Sequence, residues 1–333
     1  MSSDADPAFA IAGMLDGFRL PQCIYVACAL GLPDLIPDHG IDTLDLARRA
    51  DAQPEPLRRL LRALSTAGIF AQMSGDAWRH SELSPALKKD HPSGLNDRAV
   101  GLGTLAWASW GALLTSLRTG ETAFDAVHGA SFFEHLQAHP DQAAAFGRVM
   151  SSWTRRTAAD VTEAVDFSGY QTLVDVGGGH GVLLDAVLTA APALHGILVD
   201  RPEVIDAGAP AVDPARAGRL QLVRADAFAD PLPRGDAYVL SWILHDWDDA
   251  QCTTLLRRCL DANPNADLIV VEMLLDTDDP RHAATWFDLE MLVQTGGRER
   301  SSAEYGALFE AAGRPAPEVI TTAGTHAVLR SRG

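Results

Sequence analysis

The sequence predicts an α/β protein, with a doubly wound parallel sheet in its C-terminal half and a mostly helical domain in front of it. Three observations predict this. Apolar strand-like runs alternate with helical patterns from residue 173 onward, the signature of repeated βα units. The first such unit carries glycines at 177, 178, 179 and 181 between strand and helix, so the sheet is Rossmann-like, with its ligand edge marked. The first hundred residues instead show short amphipathic helices and one small hairpin.

The stretch from Leu173 to Asp200 reads as strand, glycine turn, helix and strand. Glycines belong where the chain turns sharply and a ligand lies against bare backbone. A dinucleotide site requires Gly-x-Gly-x-x-Gly, but counting from Gly177 places Val182 at the third glycine position. What stands here is a compact loop led by Asp175. A carboxylate there gains little from a phosphate and is compatible with an amino-acid ammonium. The spacing favours S-adenosylmethionine (SAM) over a nicotinamide dinucleotide. Asp200, closing the second strand, can accept hydrogen bonds from both ribose hydroxyls.

The chain has 333 residues, enough for about two domains. Its formal charge of −17 weighs against nonspecific DNA or anionic-membrane binding, which need a basic surface. No apolar run approaches the roughly 20 residues of a membrane span, and the N-terminus lacks a signal-peptide pattern, so a cytoplasmic protein is expected. Cys23, Cys28, Cys252 and Cys259 lack metal-type spacing and are expected to be buried thiols; no metal is expected.

In chain order, a loose tail leads into an apolar helical start. Gln22 to Leu35, Asp42 to Ala50 and Glu55 to Ala67 follow as helices, with Asp42 and Pro54 as start signals. Gly68–Gln72 and Ala77–His80 flank a turn and read as a hairpin. Three helices and a wing make a winged helix. Arg48, Arg49, Arg58, Arg59 and Arg62 raise a DNA-binding reading, and the acidic remainder favours a dimerisation module instead. Residues 99–120 read as one apolar helix with Trp107 and Trp110, Phe124 to Gln137 as a looser segment, and Pro140 to Val165 as a long helix with Phe146, Met150 and Trp153. Such aromatic stripes are usually core, but they can also line a pocket for a flat aromatic acceptor. After Asp200, strands are expected at 220–226, 236–241 and 267–272, helices at 249–262, 283–295 and 302–312, and a strand pair at 318–329. The domains are placed at 1–100, 101–165 (a helical, substrate-lining linker) and 166–333.

Past the fourth strand lies Ser241-Trp-Ile-Leu-His245-Asp246-Trp247, with Glu272 closing the next strand and Glu299 in Gly-Gly-Arg-Glu-Arg. Methyl transfer from a sulfonium to a hydroxyl needs a deprotonated oxygen in line with the S–CH₃ bond. A neutral imidazole can take that proton, and a carboxylate can orient the ring.

Together these motifs resemble the SAM-dependent O-methyltransferases of the plant caffeic-acid/flavonoid type and their bacterial natural-product branch. The motifs that carry the resemblance are Asp-Val-Gly-Gly-Gly-His-Gly, Val-Asp-Arg-Pro, Arg-Ala-Asp-Ala-Phe, His-Asp-Trp, Val-Val-Glu and Gly-Gly-Arg-Glu-Arg, in family order. The resemblance implies a homodimer acting on a small hydroxylated aromatic, with His245 as general base flanked by Glu272 and Glu299. It puts Gly177 under the cofactor, Asp200 on the ribose, Asp226 and Ala227 at the adenine, and Met150 and Thr154 near the methionine end. Ser241 stands where plant members carry lysine. With their neighbours, the candidate cofactor residues are Met150, Thr154, Asp175, Gly177, Gly179, Asp200, Arg201, Asp226, Ala227, Phe228 and Ser241. The candidate acceptor-lining residues are Trp107, Trp110, Phe146, Trp242, Asp246, Trp286 and Met291. The alternatives are a winged-helix regulator that binds SAM or a metabolite, and a family member that methylates nitrogen or does non-methyl chemistry.

Overall fold

The computed structural model describes residues 6–207, 213–276 and 282–333. The chain forms two compact units, Met1–Trp107 and Ala108–Gly333.

The first unit opens with α1 (Pro7–Asp16), capped by the Asp6 carboxylate and with no buried residue. The helical pattern from Gln22 to Leu35 is not one helix. α2 (Arg19–Ala29) and α3 (Leu32–Leu35) are divided at Gly31, which sits at φ +67° where other residues are strained. β1 (Ile41–Asp42) leads into α4 (Thr43–Arg49), whose first turn is capped by Asp42, and α5 (Pro54–Thr66) starts on Pro54. The expected hairpin is β2 (Phe70–Gln72) and β3 (Ala77–His80). β1 adds a third strand to it, too short to show any alternation in sequence. Leu46, Leu61, Leu64, Phe70 and Trp78 fill the core between helices and sheet, and the Trp78 indole donates to Thr43 Oγ1 at 2.9 Å. Arg58 is held by Asp76 and Glu55, Arg59 by Glu55 and Arg48 by Asp45, so much of the basic cluster is already neutralised.

The apolar helix expected over 99–120 is in fact broken. α6 (Leu95–Gly101) passes through a π-helical turn at 102–106 into α7 (Trp107–Gly111), and α8 (Leu113–Thr119) follows, ended by left-handed Gly120. Gly101, Gly103 and Gly111 weaken a continuous helix. A side chain at Gly103 would also strike the Tyr25 ring at 2.3 Å. The segment expected to be loose forms two helices, α9 (Ala123–His128) and α10 (Phe132–Ala138), the second started by a Ser131/Glu134 capping box.

The long helix α11 (Pro140–Ala164) leads to the sheet. Its elements are β4 (Thr172–Val176), α12 (Val182–Ala190), β5 (His195–Asp200), α13 (Pro202–Ala207), β6 (Leu220–Arg224), β7 (Ala237–Ser241), α14 (Asp249–Ala262), β8 (Asp267–Met273), α15 (Ala283–Gln294), α16 (Ser302–Ala311), β9 (Glu318–Thr321) and β10 (His326–Ser331). The strand order is β6-β5-β4-β7-β8-β10-β9, parallel through β8 and antiparallel at β10 and β9. Alternating strand residues feed two cores. Val174, Tyr238, Leu240, Leu268 and Val270 face α14 and α16, while Leu173, Leu198, Val239 and Ile269 face α11 and α12. Each such buried aliphatic contributes about 1.5–3 kcal/mol. The chain leaves β4 first toward β5 and later toward β7, so the crevice beyond the ends of β4 and β7 is where ligands collect. All four cysteines are free thiols. Among the described residues, no single helix is long and apolar enough to cross a membrane.

Candidate active site

Two clusters of acids lie along the C-terminal edge of the parallel strands. The first surrounds the glycine turn. Gly177, Gly179 and Gly181 have φ of +72°, +58° and +73°, a run only glycine adopts without strain. A Cβ at Gly177 would lie 2.5 Å from Ile243 Cδ1, and one at Gly178 the same distance from Asp175 Oδ2. Asp200 accepts from the Gly179 N–H and from the Arg201 N–H, both at 2.7 Å, which fixes its carboxylate against the loop. Burial, only partly offset by those N–H groups, raises its pKa. Asp175 is buried under the loop. Burial first, and Asp200 second, push its carboxyl up to about 7. Asp175 Oδ2 and, at the end of β7, Ser241 Oγ are buried without a hydrogen-bond partner. A bare glycine turn with orphaned polar atoms around it fits an adenosyl ligand with a cationic end.

The second cluster is built on His245, in a short 3₁₀ turn after β7 and only 4% exposed. Its Nδ1 lies 2.9 Å from Glu299 Oε1 and 3.3 Å from Glu272 Oε2. The Nδ1–H therefore donates to Glu299, leaving Nε2 outside that bond. Glu272 Oε1 accepts from the N–H groups of Ile243 (3.0 Å), Leu244 (2.8 Å) and His245 (3.4 Å), so it holds the turn while its other oxygen faces the ring. Asp246 Oδ1 lies 3.9 Å from Nε2. The Gly-Gly-Arg-Glu-Arg loop clasps this turn from outside. The Arg298 N–H donates to the His245 carbonyl at 2.8 Å. A Cβ at Gly297 would meet that same oxygen at 2.0 Å, so only glycine fits. The fully buried Arg300 guanidinium donates to the carbonyls of Leu244 (3.0 Å) and Trp247 (2.8 Å) and to Asp249.

This arrangement corrects one expectation. The sequence reading asks for a neutral imidazole in the resting protein. Burial does pull the ring's pKa down, but Glu272, Asp246 and Glu299 outweigh it and raise it to about 10. The resting ring holds a proton at neutral pH. Burial likewise raises Asp246 to about 6 and Glu272 to about 7 against the imidazole's pull.

The remaining candidates fall into place unevenly. Met150 packs with Trp153, Trp242 and Phe287 around Met273 and Ala284, and the Trp242 ring meets His245 edge-on at 5.6 Å. Trp242 has φ +60°, a strained setting for a bulky residue that turns the chain straight into His245. Thr154 Oγ1 donates to the Met150 carbonyl. Asp226 caps the Phe228 N–H, and Phe228 packs edge-on against Trp247 beside Ala227. The Arg201 guanidinium lies 5.6 Å over Phe133. Trp110 donates to Glu290 Oε2 at 2.7 Å, Phe146 packs on Phe132, and Met291 is buried. Trp286 is 68% exposed, and Trp107 packs within the N-terminal unit beside Phe18. Sequence reasoning missed Arg300, Gly297, His180 and His326. The last is a buried imidazole 4.5 Å from the Trp242 ring. A signal existed for three of them: His180 stands inside the Asp-Val-Gly-Gly-Gly-His-Gly motif, Gly297 inside Gly-Gly-Arg-Glu-Arg, and Arg300 closes the latter.

Comparison with known proteins identifies the family and the fold. Residues 110–315 match the model of the O-methyltransferase domain, and residues 12–90 that of the O-methyltransferase dimerisation domain. The phenazine O-methyltransferase PhzM of Lysobacter antibioticus is 34% identical over 96% of this chain and 94% of its own. The crystal structure of LaPhzM superposes with a TM-score of 0.92 at 33% identity, covering 98% of this chain and 99% of that one. An O-methyltransferase from neocarzinostatin biosynthesis, NcsB1, solved with SAM and 2-hydroxy-5-methyl naphthoic acid, superposes at 0.83 with 33% identity, covering 94% and 95%.

Proposed function

Since the chain belongs to the O-methyltransferase family and is a SAM-dependent O-methyltransferase of small natural products, we propose that its acceptor is a phenolic hydroxyl on a small aromatic and that His245 is the general base. When bound, SAM supplies an electrophilic methyl on a sulfonium. The observation that carries the reading is the buried His245 imidazole, tied through Nδ1 to Glu299 and Glu272, with Nε2 left for a ligand. A phenol has a pKa near 10 and free imidazole near 6.5, so proton transfer between them costs about 5 kcal/mol in water. The surrounding carboxylates remove nearly all of that cost by raising the ring to about 10. Because the ring rests protonated, it must first release its Nε2 proton to solvent; the neutral ring then takes the phenol's proton at Nε2 and leaves a phenolate beside the imidazolium. Trp242, Trp153, Phe287 and Met150 form an apolar cluster of mutually tilted and edge-on rings, with Trp242 packed edge-on against His245, an environment suited to an aromatic such as the naphthoic acid held by NcsB1.

Incubating the enzyme with labelled SAM and a panel of phenols, catechols and hydroxylated polycyclics tests this. Methylated phenols are the expected products. Label found only on amines, or none at all, would overturn it.

We further propose a homodimer through the N-terminal unit. α1 exposes Phe9, Ile11, Met14 and Leu15, each more than half accessible, which a lone chain does not favour in water. Light scattering at micromolar concentration should give twice the chain mass, and deleting residues 1–17 should shift the protein toward monomer.

A further inference from the structure

Helix α11 carries a glycine at 147, in the middle of 25 helical residues, where glycine costs about 1 kcal/mol relative to alanine. The reason is His180. A Cβ on Gly147 would lie 2.8 Å from His180 Cε1 and 3.0 Å from Nε2, so the missing side chain lets the imidazole of the glycine loop lie directly on the helix. One turn on, Ser151 Oγ is 2.9 Å from His180 Nδ1 and donates its hydrogen to the Gly147 carbonyl at 2.7 Å. A hydroxyl has one hydrogen, so Nδ1 must donate to Ser151 and carry the ring's proton. That leaves Nε2 as a bare acceptor at the glycine turn. Burial, with Arg148 adding to it, lowers the ring's pKa and keeps it neutral.

Gly147, Ser151 and Thr154 are spaced i, i+4, i+7 and share one face of α11. Met150 borders that face. That face meets the glycine loop at His180, and Asp200 holds the same loop one residue earlier, at the Gly179 N–H. With the ribose at Asp200, the amino-acid end of SAM would be within reach of the loop's next residue, His180. We propose that His180 is a cofactor-binding residue whose Nε2 accepts a hydrogen bond from the α-ammonium of SAM, with Gly147 and Ser151 setting the ring's position and tautomer. This rests on the SAM site described above and adds to it the recognition of the amino-acid end.

The probe that separates recognition from structure is 5′-methylthioadenosine, which keeps the adenosine and thioether but lacks the amino-acid end. In calorimetry, His180→Ala should weaken SAM and S-adenosylhomocysteine about ten- to hundred-fold, the worth of one hydrogen bond to a charged group. It should leave methylthioadenosine unchanged. Gly147→Ala, which displaces the ring, should show the same selective loss, and His180→Gln, which keeps an acceptor, should recover part of it. Equal losses for all three ligands, or no loss in His180→Ala, would overturn the assignment. A wild-type protein that binds neither SAM nor methylthioadenosine would overturn the cofactor site itself, and this inference with it.

Discussion

The two acidic clusters at the strand ends solve one electrostatic problem in opposite ways. Around the glycine turn, buried Asp175 lies near half-buried Asp200 and rises to about 7 because burial and its neighbour both oppose ionisation. Around His245, the carboxylates of Glu272, Glu299 and Asp246 surround a cation that the chain supplies itself. Buried like charges are costly unless a counter-charge joins them. The first cluster is incomplete without a cationic ligand, whereas the second is complete when the protein is empty. One is built to bind and the other to hold a proton.

The largest expected effect breaks the second cluster. His245→Ala should lower kcat by about 10²–10⁴, the usual worth of a positioned base, while SAM affinity stays within a few-fold. The variant also leaves buried acids without their cation, so it should melt earlier, and kcat must be referred to the folded fraction. Near-native turnover on an unactivated phenol at neutral pH would remove His245 from the chemistry.

Next comes pH. The reacting pair carries one proton fewer than a protonated ring plus a neutral phenol. With the ring at about 10, kcat/KM should rise about tenfold per pH unit from 6 upward until the more acidic of ring and acceptor has titrated. An ordinary phenol should keep rising to about pH 10, and one acidified by electron withdrawal to about 7 should level off there. A plateau near pH 6.5 for both would mean that the carboxylates do not hold the ring's proton. The ring's contribution to folding has the companion sign. Its folded pKa is raised, so that stability is full below about 6.5 and is lost as pH climbs through 10.

The first cluster is tested by Asp200→Ala. Removing the acceptor for the ribose hydroxyls should cost SAM about 1.5–3 kcal/mol, with kcat at saturating SAM little changed. Calorimetry showing unchanged affinity would take Asp200 off the cofactor.

The two clusters also differed in how far the sequence exposed them. The cofactor side is local: Asp175, the glycines and Asp200 lie within one βαβ unit, and their spacing alone marks a ligand turn. The base side joins His245, Glu272 and the adjacent pair Glu299-Arg300 from three separate stretches; their positions in the chain suggested the first three, and the resemblance to a family gave them roles. Arg300 went unnoticed because its partners are backbone carbonyls, which leave no trace in residue type. The proton on His245 was misread for a related reason. One carboxylate orients a neutral imidazole, but several at 3–4 Å charge it, and their number around the ring is a tertiary fact. In the helical stretch 99–138 the apolar pattern was read correctly, while its breaks at glycine and its capping box were not.

The smallest effect is the most discriminating for the comparison. If Asp175 is an acid held without its counter-charge, its folded pKa of about 7 exceeds its unfolded value of 3.8. A raised carboxyl gives stability that is fully present below the unfolded pKa and is lost as pH rises through the folded one. The ligand-free wild type should therefore weaken between about pH 4 and 7 relative to Asp175→Asn, which cannot ionise. The difference should level off above pH 7, at no more than about 4 kcal/mol for a shift of this size. Absolute stabilities will also carry the fit of the amide against Gly178, so the slope with pH is the quantity to compare. Saturating SAM should then flatten the wild-type slope, because its ammonium and sulfonium stabilise the ionised acid, and should leave the variant's slope alone. The same cation should bind the variant more weakly above pH 7. Parallel slopes for the two proteins without ligand would mean that Asp175 already has its counter-charge, and the contrast between a cluster that waits for a cation and one that contains it would fail.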